Sequence, residues 1–189
     1  MPSTSATPDR AASARFTTLG QLVDLFAARA DRPAVYTLGR ELETLTYGQL
    51  ARDVVRTAHG LAARGVGPGR MVLLWGPNSP AWVTVYFAVV HSGATAIPFD
   101  HQATAASAAD IVRHASPALL ATTAAHFAEL EALGPLDTEC VLLDADPGHA
   151  RSWRTLGSAP AGALPDVGPS VIASLLYTSG TTGTPKAVP

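Results

Sequence analysis

Ten residues near the end of the chain gather the groups that phosphate binding requires: Tyr177-Thr178-Ser179-Gly180-Thr181-Thr182-Gly183-Thr184-Pro185-Lys186. An apolar run, Ser170 to Tyr177, leads into them. Glycine lets a backbone adopt positive φ and approach a ligand closely. Consecutive N–H groups in such turns form a concavity that attracts anions. The hydroxyls of Thr178, Ser179, Thr181, Thr182 and Thr184 add donors. Lys186 adds a positive charge, and Pro185 stiffens the exit. An ordinary polar surface turn has a similar composition, so composition alone leaves both readings open. The spacing does exclude a Walker A loop. That motif needs GxxxxGK followed by Ser or Thr, whereas Lys186 stands three residues beyond Gly183.

Other chemistry finds little support. Cys140 is the one cysteine among 189 residues, so it cannot form an internal disulfide, which fits a reducing cytoplasm. It lies in the apolar run Cys140 to Leu143 and reads as a small buried hydrophobe. The histidines His59, His91, His101, His114, His126 and His149 are scattered, with no HExxH or paired-cysteine spacing, so no metal site is expected. A net charge of −2 gives no electrostatic case for nucleic acid or an anionic membrane as partner. The apolar stretch Ala81 to Val90 is too short for a membrane span, which needs roughly 20 residues. With 47% hydrophobic and 15% charged residues, the chain can bury a real core and is not a disordered protein.

The elements that must position the loop are legible from periodicity and punctuation. Residues 1–17 are expected to form a flexible tail and residues 18–189 the folded part. Leu19 to Ala30 reads as a helix, with Leu22, Leu25 and Phe26 on one stripe. Ala34 to Thr37 and Glu41 to Leu45 read as short strands around a turn at Gly39-Arg40. Thr46 suits the N-cap of a helix from Tyr47 to Arg64. Met71 to Trp75 is a continuous apolar run, as expected for a strand buried on both faces. Ser79 and Pro80 read as N-cap and first residue of a mostly buried helix, with Gly93 as its C′ residue. Strand Thr95 to Pro98, helix Thr104 to Ala115, strand Leu119 to Thr122, helix Ala125 to Leu133 and strand Cys140 to Leu143 come next. This alternation predicts an α/β fold with a mainly parallel sheet flanked by helices. Ala145 to Pro169 reads as a long connection with one turn near Trp153. A dinucleotide-binding domain is not supported, because no GxGxxG opens a helix after an early strand.

The string Tyr177 to Lys186 closely resembles the phosphate-loop signature of the adenylate-forming (AMP-binding) superfamily. Its members include acyl-CoA synthetases, fatty acyl-AMP ligases, firefly luciferase and the adenylation domains of peptide synthetases. Upstream segments resemble the family in order and spacing. Leu45-Thr46-Tyr47-Gly48-Gln49-Leu50 is similar to its LTYxEL helix start. Gly65 to Gly69 followed by Val72 is similar to its GVxxGDRV turn. Asn78 to Trp82 with Gly93-Ala94 and Pro98 is similar to its NSxEW and GAxxxP stretch. The resemblance covers residues 18–189 and corresponds to the N-terminal part of the family's large domain.

The resemblance implies ATP-dependent activation of a carboxylic acid as acyl-adenylate, then transfer to coenzyme A or a carrier protein. ATP and Mg²⁺ are the implied cofactors. Phosphate contact is carried over to Thr178, Ser179, Gly180, Thr181, Thr182, Gly183 and Lys186, with the Thr184 hydroxyl beside them. Thr181 favours an acyl or aryl acid over an amino acid. Two positions depart from the family: Ala187 stands where it usually has glycine, and Arg70 where it has an acid. If position 187 needs positive φ, alanine would be strained there. The family's acid pocket, adenine and ribose motifs, Mg²⁺-holding glutamate and mobile C-terminal domain lie further along. The chain is therefore expected to be an incomplete catalyst, for which a complementing C-terminal chain would be one partner. It should also expose Val171 to Tyr177 as an apolar edge lacking the strand that comes after the loop. The competing reading is non-catalytic: a fragment that binds nucleotide weakly or acts as an interaction module.

Overall fold

An all-apolar strand such as Met71–Trp75 is stable only where both faces are covered. The computed structural model describes residues 16–38, 42–158, 163–178 and 186–189. The elements run α1 (Leu22–Ala27), β1 (Pro33–Leu38), β2 (Leu42–Thr46), α2 (Tyr47–Ala63), β3 (Met71–Trp75), α3 (Pro80–His91) and β4 (Thr95–Phe99). They continue with α4 (Ala105–Ala115), β5 (Leu119–Thr122), α5 (Ala124–Glu131), β6 (Glu139–Leu142), β7 (Leu176–Thr178) and β8 (Lys186–Val188). Short 3-10 turns occupy Leu19–Gln21 and Trp153–Ser158.

The central sheet has the order β4-β3-β5-β6, with every neighbouring pair parallel. Strand alternation divides its side chains between two cores. Val72, Leu74, Ala96, Leu119, Ala121 and Val141 face α2 and α3. Leu73, Trp75, Ile97, Leu120 and Leu142 face α4 and α5. The fold is therefore three-layered α/β, as the alternation predicted.

The helix starts obey their caps. The Gln49 N–H donates to Thr46 Oγ1 at 3.2 Å, and the Thr46 N–H donates to Gln49 Oε1 at 2.8 Å. This reciprocal box fixes the first residue of α2. At α3 the Trp82 N–H donates to Ser79 Oγ, Pro80 opens the helix, and Gly93 takes φ +78° just past its end.

Two expectations need correction. The helix expected over Leu19 to Ala30 is a 3-10 turn followed by the six residues of α1. Past Ala27 the bonds tighten to turns, with Arg29 N–H donating to Phe26 O and Arg32 N–H to Arg29 O, and the carbonyls of Ala30 and Arg32 beyond the helix accept from Gly48 N–H and Tyr47 N–H at the start of α2. The connection after β6 is also more structured than its composition suggested. Trp153 and Leu156 are buried against α2, and Ser152 makes a bridge to Leu142 that covers the β6 edge. The Gly39-Arg40 turn and the expected tail over residues 1–15 lie outside the described residues, and Phe16 and Thr17 are exposed.

Gly60 marks where that connection presses on α2. A Cβ built there would lie 1.4 Å from the carbonyl oxygen of Leu156. Glycine to alanine in a helix interior ordinarily stabilises by about 1 kcal/mol. Gly60→Ala should instead destabilise by about 3 kcal/mol, because it overpacks a buried backbone contact. Urea denaturation checks this, and an unchanged or raised midpoint would show that the Leu156 turn does not seat on α2.

Candidate functional site

The strand leading into the Gly/Thr-rich string runs along the free edge of β4. Ala96 N–H donates to Ala173 O at 2.9 Å and Leu175 N–H donates to Ala96 O at 2.8 Å, giving a parallel bridge between Ala96 and Ser174. Thr95 Oγ1 donates to Ile172 O at 2.7 Å. Tyr86 Oη, on α3, shares a 2.8 Å hydrogen bond with Ser174 Oγ. The whole run Ser170 to Tyr177 was expected as one strand. Its regular part is confined to Leu176–Thr178, after the single bridge at Ser174.

Direction is set by that bridge. The segment is parallel to β4, so it ends at the carboxyl edge of the sheet, where β3 and β4 also end. In open α/β sheets, ligands bind outside the carboxyl ends of the strands. The N-termini of α3, α4 and α5 begin at this same edge, each capped by its own hydroxyl from Ser79, Thr104 or Thr123. Aligned helix dipoles make such an edge mildly favourable to anions.

The strand after the loop is present over three residues. β7 and β8 are antiparallel, with Leu176 opposite Val188, Tyr177 opposite Ala187 and Thr178 opposite Lys186. The apolar edge expected over Val171 to Tyr177 is therefore paired in part, although Ile172, Leu176 and Val188 stay exposed. The register also sets the loop's frame. Partners across an antiparallel ladder lie about 5 Å apart, so the backbones of Thr178 and Lys186 close the loop at its base. Ser179, Gly180, Thr181, Thr182, Gly183, Thr184 and Pro185 lie outside the described residues.

Neither departure at Ala187 or Arg70 disturbs this frame. Ala187 sits in a strand, and among the described residues only Ser116 is a non-glycine with positive φ. The alanine thus carries no left-handed strain. Arg70 is exposed and precedes β3, at the opposite edge of the sheet from the loop.

The family model for AMP-binding enzymes matches residues 24–189. The chain belongs to the AMP-binding enzyme family. It is 36% identical over 160 residues to a linear gramicidin synthase of Brevibacillus parabrevis, covering 84% of this chain and 3% of that protein. It is 33% identical over 156 residues to a fatty acid–[acyl-carrier-protein] ligase of Streptomyces coeruleorubidus, covering 82% of this chain and 29% of the ligase. The fold matches that of the fatty acyl-adenylate ligase from L. pneumophila, solved with acyl adenylate and pyrophosphate, at a TM-score of 0.73 and 25% identity. That match covers 92% of this chain and 30% of the ligase chain. This AMP-binding family member thus spans under a third of these relatives. Its parallel sheet flanked by helices is the N-terminal part of the family's large domain.

Elsewhere in this AMP-binding chain, Cys140 is half-buried beside the Arg64–Glu139 ion pair. Burial pushes the pKa of its thiol up to about 12. Nearby Arg151 works in the opposite direction, with less effect. Between the ordinary 9.0 and about 12 an unfolded chain ionises this thiol while the folded one does not. Its contribution to stability is complete below the lower value and falls away as pH rises through that window. The reactive species is the thiolate. Cys140 should therefore resist iodoacetamide at pH 8 in the folded chain and alkylate readily in urea. Intact-mass measurement reads both states, and rapid native alkylation would refute the assignment of Cys140 as packing.

Proposed function

We propose that this chain supplies the phosphate-binding part of an enzyme that activates a carboxylic acid with ATP. The product is an acyl-adenylate, destined for a thioester on coenzyme A or a carrier protein. The observation that carries this reading is the β7/β8 hairpin at the carboxyl edge of the parallel sheet. It brackets the signature string between Thr178 and Lys186, which pair at its base. The string itself supports the chemistry. As carboxylate attacks the α-phosphorus, charge builds on the departing pyrophosphate. Backbone N–H groups of Gly180 and Gly183, the hydroxyls of Thr178, Ser179, Thr181, Thr182 and Thr184, and the Lys186 ammonium would neutralise and orient that leaving group.

Among the described residues no cluster of three or more His, Cys, Asp or Glu could hold a metal. In this reading Mg²⁺ arrives on the nucleotide, where it supplies charge neutralisation to the phosphates. The loop's hydroxyl and N–H donors suit phosphate oxygens rather than the cation. Thr181 favours an acyl or aryl acid. The relatives named above include both a gramicidin synthase and a fatty acid ligase. The second reading is a non-catalytic nucleotide-binding or interaction module.

Acid-dependent exchange of labelled pyrophosphate into ATP separates the two. Under the first reading the active protein shows exchange with some member of a fatty, aryl and amino acid panel. Lys186→Ala should lower its rate roughly 10²–10³-fold, the usual effect of losing one well-placed charge-stabilising donor. Exchange that is absent for every acid, alongside measurable ATP binding, would favour the non-catalytic reading.

A further inference from the structure

The parallel ladder that carries β7 to the loop lacks a donor at one residue. In a parallel strand, the N–H and C=O of alternate residues point to the same neighbour. Ala96 uses both of its groups on Ala173 and Leu175. The next residue of β4 facing that way is Pro98, which has no N–H. The last bridge to β4 among the described residues is Ala96–Ser174, and beyond it Pro98 can offer only its carbonyl as an acceptor. β8 pairs only with β7 among the described residues, and Ala187, Val188 and Pro189 are exposed.

A side chain adds a fixed contact beyond that bridge. Tyr177 packs its ring against the core under α4 and α5. Its hydroxyl lies 2.9 Å from Nδ1 of His114, with the two rings edge-to-face at 85°. Either the phenol donates to the bare nitrogen or Nδ1–H donates to the phenol oxygen. Burial pushes the pKa of the Tyr177 hydroxyl up from its ordinary value, so it keeps its proton. His114 is well placed as a fixed point. It lies in the last turn of α4, between Ile111 and Ala115, both buried.

We propose that His114 is a positioning residue for the phosphate loop, acting through Tyr177. By holding the Tyr177 hydroxyl it fixes the end of β7 one residue before Thr178, where the pairing with Lys186 closes the loop. The link to nucleotide rests on the proposed function above; the tether itself does not.

The test compares the full chain with its Tyr177→Phe, His114→Ala, double and His114→Asn variants. Tyr177→Phe keeps the ring packing and removes only the hydroxyl. Asparagine places a polar atom close to where Nδ1 stands, so it can restore the bond. Amide hydrogen exchange over Leu176–Thr178 and Lys186–Val188 reads the tether without nucleotide, and equilibrium binding of MgATP reads the loop. Either single removal should speed exchange and weaken ATP binding roughly fivefold, the ordinary net worth of one such hydrogen bond. The double variant should be no worse than either single, since both remove the same bond. His114→Asn should recover most of the loss. Unchanged exchange in Tyr177→Phe would overturn the tether. Faster exchange with unaltered ATP affinity would overturn its role in positioning the loop. A parent chain that binds no ATP would sink the proposed function instead, while exchange still decides the tether.

Discussion

Burial of the parallel ladder on both faces is the constraint from which the rest of the molecule derives. A strand such as Leu119–Thr122, with every residue buried, cannot lie at a surface. It demands apolar layers above and below. Parallel neighbours cannot be joined by tight turns, so each connection must cross the sheet, and the crossing helices supply those layers. One consequence is directional. Every strand of the central sheet points the same way, so every crossing helix starts at the carboxyl edge. Loops and helix N-termini therefore gather at that edge without any further device.

Such an edge needs a strand that delivers the signature string to it, and the β4 flank provides a rail of limited length. Ala96 accepts and donates, Thr95 and Tyr86 add side-chain bonds, and then Pro98 withholds the next donor. The last described bridge on this rail is at Ser174, and Leu176 to Thr178 pair with β8. Segments with few backbone bonds to the body open at low cost, whereas fully laddered ones open only with the core. The hairpin closes the loop's base, and the Tyr177 hydroxyl meets His114 beside it.

Legibility in the sequence tracked how local each cause was. Met71–Trp75 and Leu119–Thr122 were readable to the residue, because an apolar run between glycines, prolines and polar residues specifies both length and burial. Helices α2 and α3 were readable at their starts for the same reason: Thr46 with Gln49, and Ser79 with Pro80, are caps written within four consecutive residues. Failures arose where the cause lies far along the chain. Helix α1 gives way to turns after Ala27, and the residues just beyond it are tied to the start of α2. The strand expected over Ser170 to Tyr177 is interrupted by Pro98, which belongs to a distant part of the sequence and meets it only as the neighbouring edge of β4. Trp153 and Leu156 read as loop residues, and only the missing side chain at Gly60 gives them a seat. The candidate site was legible only as a motif. Its frame, the register of Thr178 with Lys186, depends on pairing that no periodicity over three-residue strands reveals.

His114 illustrates why such supports escape a reading of sequence. Its own surroundings are those of an exposed residue near a helix end, where a histidine commonly needs no explanation beyond favourable interaction with the helix dipole. Tyr177 likewise begins as one more apolar member of a strand. The contact joins residues 63 positions apart, and neither neighbourhood hints at the other. The missing N–H of Pro98 turns the pair from a surface hydrogen bond into a candidate support. A bond of this kind adds little to a strand already laddered on one side. Beyond the last described bridge to β4, where a proline withholds a donor, the proposed tether has a larger share in setting orientation. The same reasoning explains why removal should be felt in local exchange and ligand affinity more than in global stability. The two cores do not depend on the bond, whereas β7 is three residues long and is held by its pairing with β8 and by the Tyr177 contacts.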